Sequence, residues 1–325
     1  MTKRECVIAA IEGKEVRTIP SSFSLHFPKD IAFGMDGVKA HLDFFNATDT
    51  DILKIMNENL VPYFGTIETA ADYQAKIPVL SMKDSFMVDQ VDLTKEVLKR
   101  CDANAFTLGT LHGILASGLH PLEKMGLNYD QARKLQVKLL REDPFLMLDA
   151  MKRIADVMCE LAQTYISLGI DGVYYAALGG ESSYMSDEEF KEWIEPLDKQ
   201  IMSAIKEAGG YCFLHICKDN LNMQRYKSYA AYADVINWGV YEVPFSMEDG
   251  RKLFPNKTIM GGLPNRHGVL VEGTLENVKD AVRELIRSFG RKGLILGADC
   301  TLDTYQDLGK IRTAVEAARE LNTEN

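Results

Sequence analysis

Eight short apolar runs of β type recur along the chain, at 18–27, 51–56, 105–111, 172–178, 211–217, 235–239, 258–263 and 294–298. Longer segments with helical spacing separate most of them. Segment 143–168 places Phe145, Leu148, Met151, Ile154, Val157, Met158 and Leu161 on one stripe. Segment 186–208 opens on Ser186 with acidic residues in its first turn and stops at Gly209-Gly210, a helix start and stop of the expected chemistry. Helices are also expected at 274–288 and 307–321. Strand–helix alternation of this kind builds parallel sheets from βαβ units. Eight units in one chain predict a (β/α)8 TIM barrel that uses residues 1–325 as a single domain, since such barrels run to about 250 residues or more. An open, doubly wound sheet is the alternative, but no G-x-G-x-x-G fingerprint follows any strand.

Composition narrows the chemistry. The 37 basic and 47 acidic residues leave a formal charge of −10, which disfavours nucleic acid and anionic membrane surfaces. The start, MTKRECVIAA, lacks the apolar run of a signal peptide, and no run reaches the length of a membrane span. Six scattered cysteines do not form a disulfide framework. A reducing cytoplasm is the expected compartment. Cys6, Cys101, Cys159 and Cys212 read as inert core thiols.

In a barrel, chemistry gathers where strands end. There the sequence places His26 after strand one, Asn57 after strand two, His112 after strand three and Glu181 after strand four. Further along the rim come His215 and Cys217 on strand five, Asn237 and Trp238 on strand six, and Cys300 after strand eight. His215 and Cys217 are an i, i+2 pair, so both side chains face one side of a strand. With Cys300 they form one imidazole and two thiolates, a set suited to Zn²⁺. Three protein ligands leave one position open, as in catalytic zinc sites. An open zinc can bind a thiol and keep it ionised. Glu242 and Asp303 are candidates for the fourth position. His26, Asn57, His112, Glu181 and Asn237 are the candidate substrate-binding residues. His41, His120 and His267 read as surface or loop residues.

Segments AFTLGTLHGILASG (105–118), SDEEFKEWIEP (186–196), ADVINWG (233–239) and TIMGGLPNRHGVLVEGT (258–274) resemble the uroporphyrinogen decarboxylase superfamily. Within it, the H-x-C pair with a distant cysteine resembles the zinc-dependent corrinoid methyltransferases, such as methylcobamide:coenzyme M methyltransferases. The matching positions are His215, Cys217 and Cys300. FLHICKDN (213–220) is similar to their strand-five signature, with Lys218 where a glycine is usual, and GADCTLDT (297–304) to their strand-eight segment. The resemblance implies zinc, a corrinoid (methylcobalamin as co-substrate, or a cobamide on a partner corrinoid protein), a small-molecule methyl donor or thiol acceptor, and a homodimer. It leaves the direction of transfer open.

The decarboxylase itself implies an arginine-rich segment after strand one and an aspartate after strand two. Segment 21–30 (SSFSLHFPKD) has no arginine, and Asn57 stands in IMNENLVP (55–62). A polycarboxylate substrate fits poorly at an arginine-free mouth. Decarboxylation of a porphyrinogen-like substrate, and non-catalytic corrinoid or small-ligand binding, are the alternative functions.

Overall fold

The computed structural model describes residues 1–320. Eight parallel strands, β1 (Ser21–Ser22), β2 (Ile52–Ile55), β3 (Phe106–His112), β4 (Gly172–Ala177), β5 (Tyr211–Ile216), β6 (Val235–Trp238), β7 (Thr258–Leu263) and β8 (Leu294–Ala298), form one sheet. Their order is β1-β8-β7-β6-β5-β4-β3-β2, and the Asp51 N–H donates to the Ser21 carbonyl at 3.1 Å across the remaining β1–β2 seam. The molecule is a (β/α)8 TIM barrel with helices outside the strands.

All eight expected strands are present, though β1 is far shorter than 18–27. The Pro20 carbonyl receives the Leu296 N–H, but Pro20 itself has no N–H to extend the ladder. Beyond Ser22 only Leu25 makes a bridge, to Leu302. His26 therefore lies in a loop past the strand.

Helix Pro144–Ser167 starts on the side chain of Asp143. Helix Leu275–Phe289 starts on a capping box between Thr274 and Asn277. The expected helix 186–208 is broken instead: α at Asp187–Glu189, π at Phe190–Ile194, α again at Glu195–Glu207. Pro196 has no N–H for the preceding turn, and a π turn absorbs that defect. Helices Gly34–Thr48, Ser85–Leu98, Ile114–Glu123 and Tyr129–Glu142 complete most of the outer ring. Of the expected helix 307–321, Leu308–Glu320 is helical. Leu321, like residues 322–325 of the expected domain, lies outside the described residues. Among the described residues, no helix is long and apolar enough to cross a membrane.

Alternation along the strands sets what lies inside. Ile52, Phe106, Leu108, Phe213, Val235, Met260 and Ile295 pack into the lower interior. Helix Lys3–Ile11 closes that end with Cys6, Val7 and Ala10, and Thr258 Oγ1 donates to the Ala10 carbonyl at 2.8 Å. Burying each large apolar side chain stabilises by about 1.5–3 kcal/mol. One layer higher the inward positions turn polar, and the interior opens only toward the C-terminal face.

Candidate metal centre

A cavity of about 300 Å³ opens at that face, and His215, Cys217 and Cys300 all border it. Cys217 follows β5, its N–H donating to the Ala177 carbonyl at 3.0 Å. Cys300 follows β8 after Asp299, whose N–H donates to the Leu263 carbonyl at 2.9 Å. These backbone bonds deliver two thiols from distant sequence to one histidine. The sulfurs stand 4.0 Å apart, and Cys300 Sγ is 3.3 Å from His215 Nε2. All three donor atoms lie within 4.8 Å of one another. A tetrahedral zinc ion with ordinary bond lengths needs sulfurs about 3.8 Å apart and nitrogen about 3.5 Å from sulfur. The sulfur–sulfur and Cys300–His215 separations match those spacings to about 0.2 Å, and the third pair lies within 4.8 Å.

The imidazole is held in the matching tautomer. Asn237 Nδ2 donates to the carbonyls of Met260 at 2.9 Å and Ala298 at 3.1 Å. That fixes the amide, so its oxygen faces His215 and receives the Nδ1–H at 2.6 Å. Tyr174 O–H donates to the same oxygen at 3.0 Å, and its ring stacks on the imidazole with centroids 5.2 Å apart. Nε2 is left with its lone pair toward the sulfurs, as a ligand nitrogen requires. The hydrogen bond between the thiols holds one proton on Cys217, which is pushed above the ordinary thiol range. Cys300, which receives that bond, is held well below it. Thiolate is the ligating form.

The other expected residues divide. His112 lines the cavity, and its burial lowers its pKa to about 4. His26 lies on the rim, with Nδ1 2.6 Å from Glu58 Oε1. Asn57 does not line the cavity; its oxygen receives the Asn59 N–H at 3.1 Å, a local turn. Glu181 is buried behind the wall, accepting from Tyr129 O–H at 2.7 Å and Gly179 N–H at 3.1 Å. Asn237 contacts His215 rather than the cavity. Glu242 pairs with Arg266 at 3.7 Å, and Asp303 accepts the Tyr305 N–H at 2.8 Å. Among the described residues neither joins the donor cluster. Trp238 is core, its Nε1–H bonded to the Phe245 carbonyl at 3.0 Å.

Two of the histidines expected at the surface are buried. His41 is 2% exposed and His120 7%. His120 lines the cavity and meets His112 edge-on, with centroids 5.1 Å apart. Helix packing buries both, which local polarity does not reveal. Lys54, Thr110 and Tyr174 are cavity residues that sequence reasoning missed. The signal was the lysine inside the apolar run DILKIM, because strands of a parallel barrel are normally apolar throughout.

Fold and centre together define a (β/α)8 barrel with one histidine and two cysteines clustered at the C-terminal end of its strands, a donor set that could hold a metal ion. The uroporphyrinogen decarboxylase (URO-D) family model matches residues 129–321, more than half of the sequence, and the chain belongs to that family. Among solved structures, a methyltransferase from Methanosarcina mazei is similar at 13% identity and a TM-score of 0.72, covering 99% of each chain. A B12-independent methionine synthase from Shewanella sp. W3-18-1, solved with selenomethionine, is similar at 14% identity and a TM-score of 0.62. It covers 94% of this chain and 97% of its own. Comparison with curated proteins gives no match.

Proposed function

We propose that the chain is a zinc-dependent methyltransferase. It moves a methyl group between a cobamide, presented by a corrinoid protein or free as methylcobalamin, and a small thiol or other methyl donor or acceptor. The observation that carries this reading is the His215–Cys217–Cys300 set, whose donors border the cavity, so a remaining position is reached from it. A zinc ion held there supplies Lewis acidity and keeps a thiol ionised near neutral pH. Asn237 and Tyr174 orient His215. His112, neutral at pH 7, is a hydrogen-bonding wall rather than a charge. The lining includes Lys54 and Lys218 but no arginine, which weighs against a polycarboxylate porphyrinogen.

Purified protein is expected to hold about one zinc per chain. Cys300→Ala is expected to lose most of it and to stop thiol-dependent demethylation of methylcobalamin, followed by the cobalamin visible spectrum. Full zinc occupancy in the folded Cys300→Ala protein would falsify the assignment of the site.

A further inference from the structure

Glu181 stands behind the cavity wall, 3% exposed, with both oxygens engaged. Oε1 accepts from Tyr129 O–H at 2.7 Å, and Oε2 from Gly179 N–H at 3.1 Å. Arg133, from helix Tyr129–Glu142, is the cation behind it. Its side chain is fully buried, with Nη2 3.9 Å from Glu181 Oε2. Nη1 donates to Gln136 Oε1 at 2.8 Å, while Nε and Nη2 have no hydrogen-bond partner. Among the described residues, Glu181 is the one carboxylate in ion-pair range of Arg133. Neither residue lines the cavity. Removing one member of such a pair strands the other charge in the interior, yet apolar residues of the same volume often serve stability as well. What the pair holds in place therefore matters more than its own energy.

What it holds leads to the metal donors. The Tyr129 ring lines the cavity and carries the Lys218 ammonium 3.8 Å from its centroid. Lys218 directly follows Cys217. The main chain ties the same two loops together. Glu181 bridges Leu221, and the Asn222 N–H donates to the Gly180 carbonyl at 2.8 Å. The Cys217 N–H donates to the Ala177 carbonyl at 3.0 Å. Segment 217–222 is thus stitched at both ends to 177–181, and between the stitches Lys218 leans on Tyr129. The charges of Lys218 and Glu181 both reach the Cys217 sulfur, in opposite senses. His215 has Asn237 and Tyr174 to orient it; Cys217 has this chain of contacts.

We propose that Glu181 is a positioning residue for the Cys217 donor, with Arg133 as the counter-charge that holds it in the interior. Through Tyr129 and the Leu221 bridge it fixes the loop that presents the Cys217 sulfur, so the donor is in place before a metal ion binds. This rests on the reading of His215, Cys217 and Cys300 as a metal centre and extends that centre to a buried ion pair outside the cavity. Neither member of the pair touches metal or substrate; their effect passes through Cys217. Losing the support behind a metal ligand typically costs about 10–100-fold in affinity.

The test reads the full chain with and without metal. In protein loaded with cobalt(II), affinity is measured by competition with a chelator, and the thiolate-to-cobalt absorption reports the sulfurs bound. Glu181→Gln, which keeps the size and one acceptor, is expected to weaken cobalt binding about tenfold or more and to lower that absorption per bound ion. Tyr129→Phe, which keeps both the ion pair and the ring under Lys218, is expected to move both readings the same way by a smaller factor. In metal-free protein carrying Cys300→Ser, the alkylation of Cys217 by iodoacetamide, followed on its peptide by mass spectrometry, is expected to quicken several-fold when Glu181→Gln is added. A merely structural pair would shift the unfolding midpoint and leave the absorption per bound ion and the thiol rate where they were. Should Glu181→Gln fail to fold, the double variant Arg133→Met, Glu181→Gln removes both charges together and is expected to give the same shifts, and Tyr129→Phe decides where neither folds. An unchanged Cys217 rate in the folded variants overturns the inference, and so does unchanged cobalt affinity. A quickened rate in a chain whose wild type binds no metal removes the metal centre and leaves the positioning of Cys217.

Discussion

Lys218 has a φ of 86°, in the left-handed region, where an L side chain costs about 1–2 kcal/mol. Its ammonium lies 3.8 Å from the centroid of the Tyr129 ring, and Tyr129 in turn donates to Glu181. The chain keeps a bulky residue where the backbone suits glycine, directly after Cys217. At an ordinary position glycine is less stable than alanine by about 0.5–1 kcal/mol. Here the order is expected to invert, since both substitutions lose the ring contact and only alanine keeps the left-handed cost. Lys218→Gly should therefore exceed Lys218→Ala in unfolding free energy by about 1 kcal/mol, measured by urea denaturation. Alanine above glycine would mean that the backbone at 218 is not strained. At this scale the donors were the most legible part of the site. Two on one strand face follow from the period of two, and the third from the end of β8 on the same rim. Lys54, Tyr174 and Thr110 obey the same alternation but stand within apolar runs, so their inward direction becomes meaningful only once the barrel interior is known to turn polar there. His120 was illegible for a different reason: the packing of helix Ile114–Glu123 decides its burial.

Helix Gly34–Thr48 is tied to the end of β2 through His41. Its Nδ1–H donates to the Gly37 carbonyl at 2.6 Å, and its Nε2 accepts the Met56 N–H at 2.9 Å. Burial lowers the ring's pKa from 6.5 to about 4. Between those values the unfolded chain binds a proton that the folded chain refuses. The contribution of neutral His41 is therefore complete above pH 6.5 and is lost as pH falls toward 4, by up to about 3 kcal/mol. The advantage of wild type over His41→Gln should be largest at pH 7 and shrink by about 2 kcal/mol or more at pH 4.5, measured by urea unfolding at both. A gap that does not change with pH would show that His41 titrates normally. The elements were read unevenly, and the reasons are physical. Buried parallel strands announce themselves as apolar runs, so all eight were found. The π segment Phe190–Ile194 was not, because hydrophobic spacing over two turns is nearly the same for α and π. The length of β1 depends on what β8 offers it, which no local pattern contains.

The barrel as a whole must close between its first and second strands, and β1 contributes only two residues to the sheet. Closure instead gathers on Asp51, 6% exposed at the start of β2. Its carboxylate accepts from Ser21 N–H at 2.9 Å and Ser21 Oγ at 2.8 Å. Arg319, near the end of the last helix, donates to the same carboxylate at 3.2 Å and to the Asp49 carbonyl at 2.7 Å. Lys3, in the first helix, donates to the Asp49 side chain at 2.6 Å. The first helix and helix Leu308–Glu320 are thus fastened to one turn at the base, opposite the C-terminal face of the barrel. Asp51→Ala would leave the fully buried Ser21 amide without its side-chain acceptor and Arg319 with one partner fewer. Losing a buried charge-assisted acceptor of this kind costs about 2–4 kcal/mol. The variant is expected to unfold at a lower temperature, with faster amide hydrogen exchange at Ser21 and Ile52, and to keep, while folded, the zinc proposed for the rim. Loss of zinc from the folded variant would show that base and rim are coupled; unchanged stability would place closure in the helices instead.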